Sequence, residues 1–491
     1  MSVRVRYAPS PTGLQHIGSV RTALLNYIYA KSAGGTFILR IEDTDQARST
    51  DEFVQNLYET FRWLGIAWDE GPDVGGPVGP YIQSQCSELY RRHARDLVER
   101  GMAYPCFCGP ERLEEMRRAQ EASKSGSGYD RLCRSLPTDE ARRRTEAGER
   151  HVIRLRIPLE ESTVFKDLLL GDIEWKNADV NPDPVLLKSD GLPTYHLANV
   201  VDDHRMGITH VLRGQDWLPS TPLHAIMYKA FGWEPPAFCH LPLVMGPDGH
   251  KLSKRHGSVS IEEFRAQGYL PEALINYVAM LGASYAEGRD IYNLEELAAN
   301  FSIEKLNKAP AVFDYKKLEW FNGQYIRMKA DRELAGLIEP YAIEQGLFGP
   351  PGSRPDKAQA ERLILAVPLV KERLSFLKDA PPMLAYLFRR PSPAQREDFI
   401  PKKLDAARAL ELLKAALALV PKFACLTEEE AEAAAREGAE AAGAKLGDFL
   451  MPLRVAITGA KVSPPLMGSI RILGAEEACR RVEEAIGRLS S

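Results

Sequence analysis

A histidine just ahead of a helix and a lysine-rich loop far downstream are the residues of this chain best suited to phosphate chemistry. The first stretch is "YAPSPTGLQHIGSVRTALLNYIYA", residues 7–30, in which Pro9, Pro11, Gly13, His16 and Gly18 precede a helical pattern. The second is "VMGPDGHKLSKRHGS", which sets Lys251, Lys254 and Arg255 around Ser253. Gly18 lets a ligand approach the backbone, and the dipole of the following helix favours an anion there. Lysines on a Gly/Pro-rich loop supply donors for the charge that develops on pyrophosphate as an α-phosphate is attacked. Taken singly, "HIGS" is equally a capping turn with a surface histidine, and the lysine loop a solvated basic run. Together they point to a nucleoside triphosphate.

The elements that must position them are legible. "SVRVRYA" alternates and is β-branched, a strand pattern. Val20, Ala23, Leu24, Tyr27 and Ile28 recur at helical spacing, and Gly34-Gly35 supply a stop. "TFILRIEDTD" reads as a second strand ending in carboxylates. Strand, helix and strand make a βαβ unit and predict a parallel sheet, whose ligands gather at the carboxyl ends of the strands. The loop lacks GxGxxG, so dinucleotide binding has little support.

Composition sets the outer bounds. With 491 residues, two to four domains are expected, and 44% hydrophobic and 26% charged residues describe an ordinary globular chain. A net charge of −4 means that any nucleic-acid surface must be a local basic patch. Seven cysteines in a long chain suit a reducing compartment. The opening residues lack a signal-peptide core, and no apolar run reaches the ~18 residues of a membrane span, so a cytoplasmic location is expected.

"HIGS" with "KLSKR" resembles the paired signatures of class I aminoacyl-tRNA synthetases, and "APSPTG", "RIEDTD" and "PTYHLANVVDDH" narrow the resemblance to the bacterial glutamyl-tRNA synthetases. It runs from residue 3 through "LNKAPAVFDYKKLEWFNGQYI" to "KLGDFLMPLRVAITGA". Ser19 stands where the first signature often has histidine, and Leu252 where the second often has methionine. The resemblance implies a ligase that joins L-glutamate to ATP as an adenylate and passes it to tRNA-Glu, with tRNA-Gln as a second acceptor in some members. It also implies Mg²⁺ with the ATP, activation that waits for tRNA, and a monomer.

Site residues follow from the same resemblance. His16 and Lys254, assisted by Lys251, stabilise the adenylation transition state. Ala8, His16, Gly18, Asp216, Trp217, Val244, Leu252 and Lys254 surround ATP. Arg6, Ser10, Glu42, Tyr195, Asn199 and Arg213 surround glutamate, with arginines on the carboxylates and Glu42 on the α-ammonium. Arginine is donor-only, so a glutamine amide would turn its own N–H groups toward it. Leaving them unpaired costs roughly 1–3 kcal/mol each.

Three of the seven cysteines fall in one stretch, Cys106, Cys108 and Cys133. In a reducing compartment that suggests zinc, with a pair of ordinary buried thiols as the alternative. Some relatives close such a site with a histidine, where Ser135 stands here. Others use a tyrosine four residues before the last cysteine, the place of Tyr129. "KSGSG" reads as a loop tip, and "HVIRLRIP" with "FKDLLLGDIEWKN" as strands.

From about residue 258 the pattern turns helical, and the alanine- and glutamate-rich "EEEAEAAAREGAEAAGAKLG" is a strong helix former. The expected fold is an α/β parallel-sheet (Rossmann-like) class I synthetase catalytic domain with an α+β insertion, followed by all-helical stem-contact and anticodon-binding domains. The expected boundaries are 1–87 and 193–257 for the catalytic halves and 88–192 for the acceptor-binding insertion. Those of the helical part are 258–327 for stem contact, then 328–388 and 389–491 for the anticodon. Lys371 and Arg373 on a "VKERLSFLKD" helix are candidate anticodon readers. An all-helical end argues against the glutaminyl relatives, which carry a β-barrel there. Two readings compete: a catalytically silent tRNA-binding paralogue, and an unrelated α/β nucleotidyltransferase.

Overall fold

The computed structural model describes residues 2–45, 49–123, 128–180, 182–286, 288–392 and 394–490. Most of the predicted "KSGSG" tip lies outside them. The chain divides into two compact units, Met1–Phe264 with Leu274–Asp314, and Arg265–Ala273 with Tyr315–Ser491.

In the first unit, β1 (Arg4–Tyr7) leads into α1 (Ile17–Ser32) and β2 (Thr36–Leu39), and β1 and β2 pair in parallel from Arg4↔Thr36 to Tyr7↔Leu39. The core face of α1 is apolar: Ile17, Val20, Ala23, Leu24 and Ile28 are buried, while Tyr27 is only partly so. The helix stops where Gly34 takes φ +58, a conformation L-side chains resist. Next come α2 (Asp51–Trp63), α3 (Ser87–Glu99), β3 (Ala103–Cys106), α4 (Pro110–Ser123) and α5 (Thr138–Glu146). β4 (Val152–Leu155), β5 (Ser162–Asp167), β6 (Gly171–Lys176) and β7 (Val185–Leu187) follow. The expected strand alternation of this stretch is present. Strand order β3-β4-β7 makes one small antiparallel sheet.

α6 (Tyr195–Arg205), β8 (His210–Gly214), α7 (Thr221–Phe231) and β9 (Ala237–Leu241) complete the α/β core. β8 and β9 pair in parallel, and β5 joins β9 in parallel at Asp167↔Phe238, with β6 antiparallel beyond it. β8 is tied to β1 by the Thr209 amide on the Arg4 carbonyl, 2.9 Å, and by the Arg4 amide on Thr209 Oγ1, 2.8 Å. The parallel strands therefore run β2, β1, β8, β9, β5. The chain leaves β1 for β2 on one side and has β8 on the other, which makes the carboxyl end of β1 a topological switch point. A strand from inside the expected 88–192 insertion thus belongs to the main sheet.

Among the described residues, every regular element of the second unit is a helix. Its larger core packs Phe399, Phe423 and Phe449 with Leu412, Leu453 and Ile470. The alanine- and glutamate-rich stretch forms the helix Glu428–Ala441, capped by Thr427 reciprocally with Glu430, with Glu428 and Glu429 also in its first turn against the dipole. One expectation fails here: "VKERLSFLKD" is not an α-helix but short 3₁₀ turns at Lys371–Arg373 and Leu377–Asp379. Pro368 just ahead removes an amide donor, and Leu374 and Leu377 are buried by the tight turns. Lys371 bonds the Asp331 carboxylate at 3.1 Å, and Arg373 the Ser463 carbonyl at 2.9 Å, so both fasten this unit to itself.

Candidate active site

The first phosphate-type segment pairs through its backbone with the residues that directly follow the second. The Ile17 amide donates to the Val259 carbonyl at 3.0 Å and the Ile261 amide to the Gln15 carbonyl at 3.0 Å, bracketing a bridge between His16 and Ser260. His16 is itself the cap of α1: its Nδ1 accepts the Ser19 amide at 3.1 Å, and Ser19 Oγ accepts the His16 amide at 3.0 Å. The capping reading of this histidine is therefore borne out. Accepting on Nδ1 leaves Nε2 to carry the proton of the neutral ring. Partial desolvation first, and then the Lys251 ammonium, hold the imidazole below its ordinary value. A Cβ on Gly18 would stand 3.3 Å from the ring, so a side chain there would press on it.

The lysine loop starts at β10 (Val244–Met245), which the Leu252 amide closes onto by bonding the Val244 carbonyl at 2.9 Å. Its tip is braced by Asp248, which meets His256 Nε2 at 3.0 Å and Arg255 at 3.2 Å. Lys251 reaches Asp216 at 3.0 Å, while Lys254 is exposed and makes no ion pair to a described residue. Trp217, 42% exposed, lies with its ring 4.5 Å from that of Tyr195. Val244 and Leu252 thus belong to this loop, and Asp216 meets it through Lys251. Ala8 and Ser10 follow the end of β1, and the Pro9 carbonyl between them accepts the Glu42 amide at 3.0 Å.

Below the loops lies a buried charge network. Arg6 is bidentate to Asp203, 3.0 and 3.2 Å. Arg40 bridges Asp203 at 2.7 Å and Glu42 at 2.8 Å. Asn199 donates to Glu42 at 3.2 Å. Gln83 and Tyr90 both donate to Asp202, at 3.0 and 2.8 Å, and Arg205 lies 3.4 Å from it. Burial drives Glu42 above the ordinary carboxyl value against the pull of Arg40. Burial also acts on Asp203, but Arg6 and Arg40 overcome it and hold that carboxyl low.

Arg213, at the end of β8, is different. Among the described residues it has no carboxylate partner; its donors meet His240, Thr221, Tyr195 and His224. Its burial presses its own pKa down, and His196 is pushed down to about 4 by burial and then by this arginine. Arg6, Arg40 and Arg205 stand against Glu42, Asp202 and Asp203, so that network balances in formal charge. Arg213 is the surplus cation.

The cysteines converge as well. The Sγ atoms of Cys106, Cys108 and Cys133 lie within 4.8 Å of one another. Tyr129 Oη lies 3.2 Å from Cys106 Sγ and 3.6 Å from Cys108 Sγ, so all four expected members form one cluster.

A parallel sheet with a capped histidine and a lysine loop at its switch point defines a class I aminoacyl-tRNA synthetase. Residues 2–320 match the tRNA synthetases class I (E and Q), catalytic domain, and residues 333–486 match the anticodon binding domain. A glutamate–tRNA ligase of Treponema denticola is 57% identical over 502 residues, covering 99% of each chain, and one of Borreliella burgdorferi is 49% identical over 99% of this chain and 98% of its own. A crystal structure of a glutamate tRNA ligase from Elizabethkingia meningosepticum in complex with its amino acid superposes with a TM-score of 0.88 at 35% identity over the whole of both chains. The chain belongs to the glutamate–tRNA ligases. None of these similarities favours the silent paralogue or the unrelated nucleotidyltransferase.

Several central residues escaped sequence reading. Arg40, Asp202 and Asp203 sit inside the quoted motifs "RIEDTD" (with the preceding "FIL") and "VVDDH", yet nothing in their spacing separated them from surface charge. Asp167 on β5, Thr221 and His224 on α7, and His240 on β9 come from three different elements, and only the fold joins them.

Proposed function

We propose that this enzyme activates L-glutamate with Mg-ATP and transfers it to the 3′-terminal adenosine of tRNA-Glu, with the roles of its residues as follows. A glutamate carboxylate oxygen attacks the α-phosphorus, and the bond to pyrophosphate breaks. The Nε2–H of His16, with Lys251 and Lys254, stabilises the charge that develops on the phosphates. Glu42 takes the α-ammonium, and Arg6 and Arg213 take the carboxylates, beside Ser10, Tyr195 and Asn199. Ala8, Gly18, Asp216, Trp217, Val244 and Leu252 flank the nucleotide. A ribose hydroxyl of the tRNA then attacks the activated carbonyl and AMP leaves. Catalysis is positioning plus electrostatics, with no covalent enzyme intermediate. The observation that carries this reading is the backbone pairing that locks residues 15–17 to 259–261, since it delivers both signatures to one sheet end.

Charging of separate tRNA-Glu and tRNA-Gln transcripts with labelled glutamate tests it. Charging of tRNA-Glu is expected; charging of neither by folded protein overturns the reading. Charging of both would define a non-discriminating enzyme that leaves its product on tRNA-Gln for an amidotransferase. Free glutamine is expected to be a very poor substrate. The reading includes a cytoplasmic monomer whose first step waits for tRNA. Among the described residues no helix is long and apolar enough to cross a membrane.

The cysteine cluster fits a structural zinc. Tetrahedral Zn–S bonds of ~2.3 Å set sulfurs ~3.8 Å apart, and Cys108 and Cys133 already stand 3.6 Å apart. Cys106, Cys108, Tyr129 and Cys133 would hold the ion, which would fix the insertion and take no part in the reaction. About one zinc per chain is expected after purification without chelators, falling well below that in Cys108→Ser. Metal-free wild-type protein with unchanged stability would remove this assignment.

The catalytic halves, acceptor-binding insertion, stem-contact segment and two anticodon-binding segments keep the proposed boundaries given above. The strand β5 is the insertion's contribution to the main sheet.

A further inference from the structure

The donors of Arg213 are satisfied in a way that leaves its charge untouched. Nε donates to His240 Nε2 at 3.0 Å, and Nη2 to Thr221 Oγ1 at 2.6 Å. Nη1 lies 3.4 Å from Tyr195 Oη and 3.3 Å from His224 Nδ1. Every one of these acceptors is formally neutral. The other arginines of the site sit on carboxylates: Arg6 on Asp203, and Arg40 on Asp203 and Glu42.

A guanidinium has donors only, so His240 must present an unprotonated Nε2 to it. A neutral imidazole with a bare Nε2 carries its proton on Nδ1, and that proton needs an acceptor. Asp167 Oδ2 stands 2.7 Å away. The carboxylate is itself fixed: Oδ2 also accepts the His240 amide at 3.0 Å, and Oδ1 accepts the Leu169 and Leu170 amides at 2.9 and 2.8 Å. Asp167 and His240 are 1% and 0% exposed, and Thr221 is 0%, so water does not substitute for any of them. Burial also holds the His240 imidazole below its ordinary value, which favours the neutral ring.

We propose that Asp167, His240 and Thr221 are positioning residues for glutamate selection: they fix Arg213 by neutral acceptors and so reserve its full charge for the substrate carboxylate. Asp167 sets the tautomer of His240, and His240 sets the plane of the guanidinium. A carboxylate placed directly on Arg213 would hold it equally well but would neutralise it. Interposing one imidazole ring transmits the orientation and keeps the counter-charge a ring's width back. The strand that brings Asp167, β5, thereby couples the insertion to amino-acid recognition.

This proposal rests on the assignment of Arg213 to glutamate. The test is steady-state charging of tRNA-Glu by full-length protein, reading the KM for glutamate, the KM for ATP and kcat. Arg213→Gln tests the assignment; His240→Asn, His240→Gln and Thr221→Val test the positioning. His240→Asn keeps a donor for Asp167 but withdraws the acceptor from Arg213, and should raise the glutamate KM about tenfold or more, the effect of one unpaired buried donor. The ATP KM and kcat should stay within about twofold. His240→Gln, whose amide oxygen can reach the place of Nε2, should recover part of the loss. Thr221→Val should reproduce the His240→Asn pattern, and it decides the matter if the His240 variants fail to fold. A glutamate KM unchanged in His240→Asn and Thr221→Val, or a parallel rise in the ATP KM, overturns the positioning role. If Arg213→Gln itself leaves the glutamate KM unchanged, the assignment of Arg213 falls first and the proposal with it.

Discussion

Arg40→Leu is expected to destabilise the first unit by about 3–5 kcal/mol, the cost of removing one partner from a buried ion network. Arg40 is fully buried, and its two ends hold Asp203 and Glu42 at 2.7 and 2.8 Å, with Asp202 at 3.9 Å from its Nε. Leucine fills part of the volume but leaves two cations, Arg6 and Arg205, for the three carboxylates Glu42, Asp202 and Asp203. Thermal or urea unfolding followed by a probe in the first unit measures the loss.

The pH dependence of that loss separates charge from packing. The folded-state pKa of Asp203 is depressed, so its ion pairs contribute stability above the ordinary carboxylate range and lose it as pH falls through the folded value. The gap between wild type and Arg40→Leu should therefore be widest near neutrality and shrink on acidification. A gap independent of pH would mean that the packing of the long side chain, and not its charge, is what matters.

Lys254→Ala is expected to lower the rate of glutamate adenylation by about 10²–10³, the usual effect of deleting one donor to developing charge. Glutamate KM should stay close to wild type, because the residues assigned to the amino acid lie on or just after β1 and β2 and on α6 and β8, outside the lysine loop. The loop itself should survive the change. Its brace is made by Asp248, His256 and Arg255, and Ser253 and His256 cap the turn Lys254–His256 reciprocally, without the lysine side chain. Rapid-quench measurement of adenylate formation with tRNA present gives the number directly. A rate within a few-fold of wild type would make Lys254 a bystander and move the burden to His16 and Lys251.

Legibility in the sequence followed the range of the interactions. The βαβ unit, the capped start of α1 and the helical second half are written in local periodicity and punctuation, and the structure has them where the pattern put them. The turn after Pro368 shows the limit of that logic: a pattern with helical spacing became 3₁₀ turns because buried Leu374 and Leu377 are reached by a tighter path. Single residues such as His16 and Arg213 were singled out as candidates by motif. Their supports were not. Asp167 and His240 are apart in sequence and unremarkable in type, and their meaning arises from the one place where β5 touches β9.

That place also bears on how the chain can be cut. β5 lies within the stretch expected to be an insertion, yet it pairs in parallel with β9 at Asp167↔Phe238, and β6 pairs along the whole of β5 in turn. Excising residues 88–192 to obtain a minimal catalytic core would strip both strands and uncover the edge of β9 at Phe238. Unpaired amides and carbonyls beside an apolar strand recruit other chains, so such a truncation should aggregate. A cut that spares Ser162–Lys176 keeps the edge covered, and any shorter form of this enzyme has to be drawn around that hairpin.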